Sequence, residues 1–217
     1  MNEKIIEIWA DSFHEGEWCC DNLKLYAEKI GINFEKQYEY GFMPIYTMQL
    51  EDIKIRFEVY GSYSAWENVP KQISQLLSLG KPDFIAFSYD SNEIIFAVEE
   101  TSATMTGNQP LQRCERQYGS AKNKIPFWYL VSEFGTHLDG GIRRDSIWPT
   151  ISALKLSVIC EVPNIVLHYS GKKAPENYSG GKGLDLLFSS LLQYLLAYLS
   201  DSKQSSLILS MERQYSE

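Results

Sequence analysis

The 217-residue sequence is poor in cysteine, histidine and positive charge. Its four cysteines form no C-x-x-C pair, which argues against a zinc site or disulfide framework and predicts reduced core thiols. The three histidines have no ligand spacing and belong to no Ser-His-Asp arrangement. The formal net charge of −8 argues against a general nucleic-acid coating protein. An enzyme with a locally basic cleft remains compatible, because metal-site carboxylates themselves lower the total charge.

The sequence also lacks a long apolar run and a secretory leader. The most apolar stretch, Leu184 to Leu199, is interrupted by polar residues and is shorter than the ~20 residues that a membrane span needs. At the N-terminus, Lys4 is soon followed by Glu7 and Asp11, unlike a secretory signal. We therefore expect a cytoplasmic protein that does not associate with membranes. Its length and ordinary apolar content predict one globular domain over residues 1–217.

The most informative stretch, residues 81–101, reads KPDFIAFSYDSNEIIFAVEET. Two short apolar runs, Phe84 to Ser88 and Ile94 to Val98, flank the turn-forming residues 90–93. They predict a β-hairpin, which would bring Asp83 beside Glu99. Converging carboxylates repel one another unless a cation lies between them, and hard oxygen ligands favour Mg²⁺ or Mn²⁺. The pattern therefore indicates metal-dependent phosphodiester chemistry.

Helices and strands are interspersed along the rest of the chain. Patterns predict a hairpin at 45–60, strands at 125–131 and 165–169, and helices at 17–30, 69–79, 109–122, 148–159 and from 184 onward. Asn68 is expected to cap the second of these helices. The last is apolar nearly all round, which fits a buried core helix or a subunit interface. This order predicts an α/β (α+β) fold with a mixed central β-sheet flanked by helices.

The helix at 109–122 has two distinct faces. Its apolar face is expected to contain Leu111, Cys114, Tyr118 and Ala121, and its polar face Gln109, Gln112, Arg113 and Arg116. The polar face follows directly after the acidic strand. It could bind an anionic substrate beside the carboxylates.

The order of helix, Pro-Asp hairpin ending in Glu-x-Thr, Gln/Arg helix and strand resembles the PD-(D/E)XK nuclease superfamily, whose best-known members are restriction endonucleases. The resemblance covers residues 69–131 and implies a restriction-endonuclease-like fold. It also implies that Asp83 and Glu99 bind Mg²⁺, with the backbone carbonyl of Glu100 completing the ligand set. Strand alternation supports Glu99, because Glu99 and Thr101 share one face while Glu100 points to the other. A register that uses Glu100 and Ser102 stays open.

The sequence departs from the superfamily at the motif lysine, which is Thr101 here. A threonine can hydrogen-bond water but brings no positive charge. Lys122 or Lys124 could replace the lysine from the end of the next helix. The resemblance gives Gln109, Gln112 and Arg113 a role in binding the scissile phosphate. An upstream acid often joins such sites, and the candidates are Glu67 and Glu58.

The resemblance implies a Mg²⁺-dependent endonuclease that acts on double-stranded DNA, with Mn²⁺ as a substitute, in restriction or phage defence. One alternative is a degenerate module that binds nucleic acid or protein without cleavage. Another is a nuclease that acts on RNA or structured repair DNA. Candidate protein partners are a second copy of the chain and a covalently linked methyltransferase or translocase domain.

Overall fold

A computed structural model describes residues 2–50, 53–63, 68–101, 109–132, 134–136, 142–144, 147–169 and 182–200. These residues form ten strands and five helices. Their order is β1 (Asn2–Ala10), α1 (Phe13–Lys29), β2 (Phe34–Glu39), β3 (Met43–Leu50), β4 (Ile53–Tyr60), α2 (Lys71–Leu77), β5 (Phe84–Ser88), β6 (Glu93–Thr101), α3 (Gln109–Lys122), β7 (Phe127–Ser132), β8 (Phe134–Thr136), β9 (Ile142–Arg144), α4 (Trp148–Cys160), β10 (Asn164–Tyr169) and α5 (Lys182–Leu199).

Eight of the strands form one mixed sheet in the order β10-β7-β6-β5-β1-β4-β3-β2, while β8 and β9 pair separately. The strands β1, β4, β6, β7 and β10 run in one direction, and β5 is antiparallel to both of its neighbours. The predicted mixed sheet flanked by helices is therefore confirmed. One edge of the sheet, here called the carboxyl edge, collects the ends of β1, β4, β6, β7 and β10 and the start of β5.

Helices cover both faces of the sheet. On one face, α1 and α5 share a core with the strands through residues such as Leu23, Phe188 and Trp128. On the other face, Ile73 and Leu76 of α2 pack on the strands. Close contacts of Gly80 and Gly119 seat α3 beside the end of α2, and α4 contacts α3 and β10. This second layer places α3 next to the end of β6.

Several local predictions are confirmed. The hairpin forms as expected, although β6 extends to Glu93–Thr101. The apolar helix predicted from residue 184 onward is a core helix, since Leu187, Leu191 and Leu195 are buried. All four cysteines are free, but only Cys19 and Cys20 are buried, so the predicted core position is confirmed for these two alone. Among the described helices, none is long and apolar enough to cross a membrane.

Other local predictions are wrong. The first helix begins at Phe13 rather than residue 17, because Ser12 caps it. Asn68 does not cap α2, whose N-cap position is Pro70. Tyr118 does not belong to a buried face: its side chain is exposed, and Gln117 is buried instead. The strands β1 and β2 were not predicted from the sequence.

Candidate active site

Backbone hydrogen bonds fix Asp83 at the carboxyl edge. Its N–H donates to the Val98 carbonyl over 3.0 Å, and its carbonyl accepts the Asp11 N–H over 3.1 Å. Its carboxylate oxygen Oδ2 accepts the N–H of Glu100. Asp83 is thus held between the ends of β1 and β6, as the hairpin predicts.

Strand alternation sends the two glutamates of β6 to opposite faces. Glu99 is fully buried on the face that α3 covers, and Thr101 is buried two residues further along. Glu100 lines a pocket on the α1 face. The predicted orientation of these side chains is therefore confirmed, and Asp83 borders both environments.

Two arginines of α3 converge on Glu99. Nη1 of Arg113 and Nη1 of Arg116 both donate to its Oε1 atom. Nη1 of Arg116 also lies 3.8 Å from Oδ1 of Asp83. The other oxygen of Glu99, Oε2, is buried and accepts no hydrogen bond from the described residues. The carboxylate of Glu99 is thus held strongly on one oxygen only.

The surroundings of both carboxylates disfavour negative charge. Burial raises the pKa of Asp83 well above its usual range, and the charge of Glu99 raises it further. The hydrogen bond from the Glu100 N–H and the charge of Arg116 act in the opposite direction and lower it. Burial also raises the pKa of Glu99, and the guanidinium groups of Arg116 and Arg113 oppose that rise. Further positive charge at this place would therefore stabilise the ionised pair.

A pocket of about 180 Å³ opens beside Asp83 on the α1 face. Its lining consists of His14, Glu15, Trp18, Asp83, Phe84 and Glu100. Glu15 is an acid that the sequence analysis missed. Its carboxylate accepts the Ser12 N–H over 3.0 Å, and burial raises its pKa. The Ser-x-x-Glu capping box at residues 12–15 was the signal that could have located it.

The candidate lysines lie away from the carboxylates. The Nζ atom of Lys122 lies 5.9 Å from the centre of the Tyr118 ring. Lys122 follows Arg116 by six residues, about 9 Å along the helix axis. Lys124 donates to the Cys160 carbonyl. Among the described residues, the cationic groups that reach Glu99 are therefore Arg113 and Arg116, both of which belong to the polar face predicted for α3.

The remaining candidates show no described contact with Asp83 or Glu99. Glu58 accepts hydrogen bonds from Arg56 and Tyr60 on its own strand. Glu67, Ser102 and the side chains of Gln109 and Gln112 lie outside the described residues.

Within the described ranges, no group of three or more His, Cys, Asp or Glu side chains is arranged to hold a metal ion. The donor chemistry still fits a hard cation at two side chains. Asp83 and Glu99 offer carboxylate oxygens, and Oε2 of Glu99 is buried with no described hydrogen bond. Such an oxygen is the kind of acceptor that a cation satisfies.

Comparison with known proteins yields no family. Neither a protein-family model nor a curated protein matches the chain. One similar solved structure is the cytosolic domain of the T. maritima FeoB iron transporter in a GDP form. The likeness has a TM-score of 0.32 and 12% identity, and it covers 89% of this chain and 63% of that one. A likeness of this size carries no argument about fold or activity.

Proposed function

We propose that this protein is a Mg²⁺-dependent endodeoxyribonuclease that hydrolyses DNA phosphodiester bonds, in a restriction or phage-defence setting. The observation that carries the proposal is the pairing of two carboxylates at the carboxyl edge: Asp83, whose side chain is 22% exposed, and Glu99, which is fully buried. Both have raised pKa values, and two arginines contact the second. Such perturbed groups concentrate at functional sites. The edge at which parallel strands end is also a common ligand-binding position in α/β proteins.

Asp83 and Glu99 would hold the cation, with the carbonyl of Glu100 as a third ligand and Mn²⁺ as a substitute. Bound Mg²⁺ supplies Lewis-acid polarisation of the phosphate and a lower pKa for the attacking water. Oε2 of Glu99 supports this assignment, because a buried carboxylate oxygen without a hydrogen bond is costly.

The two arginines would bind the scissile phosphate. Their side chains are partly exposed, so both can reach a ligand at the surface. A guanidinium group binds phosphate through two parallel N–H groups and stabilises charge that develops in the transition state. Arg113 and Arg116 would therefore supply the positive charge that Thr101 lacks, and the Thr101 hydroxyl would hydrogen-bond water.

Glu15 would act from the other side of Asp83. It faces the same pocket as Asp83 and Glu100, and its pKa is raised by burial. A carboxyl group with a raised pKa keeps its proton to a higher pH than an exposed carboxyl group does, which suits proton transfer. Its capping hydrogen bonds with Ser12 fix its position. This would make Glu15 the upstream acid of the site.

The test is cleavage of supercoiled plasmid and linear phage DNA with Mg²⁺ or Mn²⁺. The variants are Asp83→Asn, Glu99→Gln and Glu15→Gln, which keep the shapes of the side chains. Glu115→Gln is the matched control, because Glu115 is an exposed acid on α3 beside Arg116. We expect metal-dependent cutting that Asp83→Asn and Glu99→Gln abolish, that Glu15→Gln slows, and that Glu115→Gln leaves unchanged. Folded wild-type protein that cuts neither DNA nor RNA would contradict the proposal. Cutting confined to RNA or to branched DNA would reassign the substrate.

A second candidate is a nucleic-acid or protein-binding module without cleavage. The observation that favours it is the direct pairing of Glu99 with Arg113 and Arg116, together with threonine at the lysine position. Calorimetric titration with Mg²⁺ separates the two functions. The nuclease requires metal binding that Glu99→Gln weakens, whereas the module requires none.

A further inference from the structure

The two outer strands of the main sheet differ in how their edges are protected. The edge strand β2 reads FEKQYE and carries three charged residues among six. The other edge strand, β10, reads NIVLHY and carries no Asp, Glu, Lys or Arg. Among the described strands, β10 pairs only with β7. Charged side chains on an edge oppose pairing with another chain, and an apolar edge without them favours it.

The helix beside this uncharged edge strand exposes apolar side chains. Trp148, Ile151, Lys155 and Ile159 are spaced by three, four and four residues, so they form one stripe on α4. Ile159 is 66% exposed and Trp148 is 68% exposed. On α5, which contacts β10 from the other face of the sheet, Leu186 is also exposed. Exposed apolar groups thus lie on both sides of β10.

Charge identifies the partner that fits this surface. The chain has a net charge of −8, so two copies repel each other over most approaches. Residues 147–169, which span α4 and β10, contain one lysine and one glutamate and are neutral in sum. The net charge of the chain therefore opposes the approach of a second copy less here than over a surface with excess acid.

We infer that the protein forms a two-fold symmetric dimer through β10 and α4. Antiparallel pairing of β10 with its copy would continue the sheet across the two subunits. With a two-fold axis perpendicular to the sheet, the sheets of both subunits turn the same face in the same direction. The helix α4 then lies next to the partner's α4, and the Trp148–Ile159 stripe is buried between them. Each subunit presents the same patch, as such an interface requires. This inference goes beyond the nuclease proposal and does not depend on it.

Sedimentation of the full 217-residue chain tests the dimer. The expected mass is twice 24.9 kDa at about 10 µM, with dissociation on dilution. The double variant Ile151→Lys/Ile159→Lys should weaken dimerisation at least about 100-fold. Each change removes an apolar side chain that the interface would bury and places a charged one there. Phe42→Lys is the matched control: Phe42 is 65% exposed in the β2–β3 turn, at the other end of the sheet. It should leave the mass unchanged.

Hydrogen exchange separates strand pairing from contact through the helices alone. Amides of residues 164–169 should be protected in the wild-type dimer and should exchange faster in the double variant. A wild-type chain that stays monomeric up to about 100 µM overturns the inference without any variant. A monomer that Ile159→Lys destabilises would mean that the chain covers its own patch, and this also overturns it. A dimer that the double variant leaves intact would place the interface elsewhere.

Discussion

At the scale of single residues, the adjacent carboxylates of Asp83 and Glu99 differ in how much positive charge neutralises them. Glu99 contacts two guanidinium groups, whereas Asp83 accepts one backbone N–H and lies 3.8 Å from Arg116. Glu99 is fully buried and Asp83 is partly buried, and the opposing positive charge is concentrated on Glu99. Asp83 is therefore the acid whose ionised form costs the folded protein more.

This difference predicts that Asp83→Asn stabilises the protein at alkaline pH. The folded pKa of Asp83 is raised, so its contribution to stability is fully present below the unfolded pKa of about 3.9 and is lost as pH rises through the folded pKa. Asparagine stays neutral and can still accept the Glu100 N–H. We expect a melting temperature about 3 °C higher than wild type at pH 8, and a gain that disappears towards pH 4. Calorimetry at both pH values measures it.

The opposite sign is expected for Arg116→Gln. This change removes a positive charge that contacts Glu99 and lies near Asp83, and breaking a buried ion pair costs about 3 kcal/mol. Without Arg116 the pKa values of both acids rise further, so the loss is larger at pH 8 than at pH 5. Urea unfolding at the two pH values provides the measurement. Equal losses at both would mean that Arg116 stabilises by packing alone.

At the scale of elements, the position of α3 decides whether its arginines reach Glu99. A Cβ atom on Gly80 would lie 2.9 Å from the Cα atom of Arg116. The backbone of α3 therefore passes directly over Gly80, and only glycine permits this approach. The close contact between Gly80 and α3 therefore sets the distance from the arginines to the end of β6.

Gly80→Ala is accordingly expected to move α3 away from the sheet. The clash is with backbone and the first side-chain atoms of Arg116, so rotation of a flexible side chain cannot relieve it. Overpacking of this kind costs about 1–3 kcal/mol. Stability in urea unfolding and the rate of DNA cleavage should both fall, whereas Ser74→Ala, at an exposed position of α2, should change neither. Normal cleavage by a destabilised Gly80→Ala protein would show that the contact between Gly80 and α3 does not position the arginines.

The sequence was sufficient for elements whose signals are local. Short apolar runs and turn residues located β5 and β6, and strand alternation oriented Glu99 and Glu100 correctly. By contrast, β1 carries Glu3, Lys4 and Glu7 among its apolar residues, which weakens the strand signal. Its place between β4 and β5 is set by long-range pairing, which no short pattern encodes.

The same limit explains why parts of the site were missed. Arg116 belonged to the predicted polar face, but its contact with Glu99 depends on how α3 packs over Gly80. Glu15 reaches the pocket because β1 ends at the carboxyl edge and α1 begins directly after it. The N–H of Asp11, between the two, donates to the carbonyl of Asp83. A site assembled from separate elements becomes visible only once their packing is known.

At the scale of the whole molecule, ion binding and folding are linked through the acidic carboxyl edge. A ligand that binds only the folded state stabilises it by RT ln(1 + [L]/Kd). Burial has raised the pKa values of Asp83 and Glu99, and the charge of Glu99 raises that of Asp83 further, so a cation there relieves a cost that folding imposes. The proposed nuclease should therefore be more stable with Mg²⁺, whereas the binding module should not.

For a site with a Kd of about 1 mM, about 10 mM Mg²⁺ contributes about 1.4 kcal/mol, which raises the melting temperature by about 3–5 °C. The shift should be larger at pH 8 than at pH 6, because the carboxylates must lose their protons to bind the ion. It should be absent in Glu99→Gln and retained in Glu115→Gln. Thermal melting with MgCl₂, against NaCl of equal ionic strength, separates this shift from charge screening. If Glu99→Gln shifts as much as wild type, the ion binds elsewhere and Glu99 serves to anchor α3.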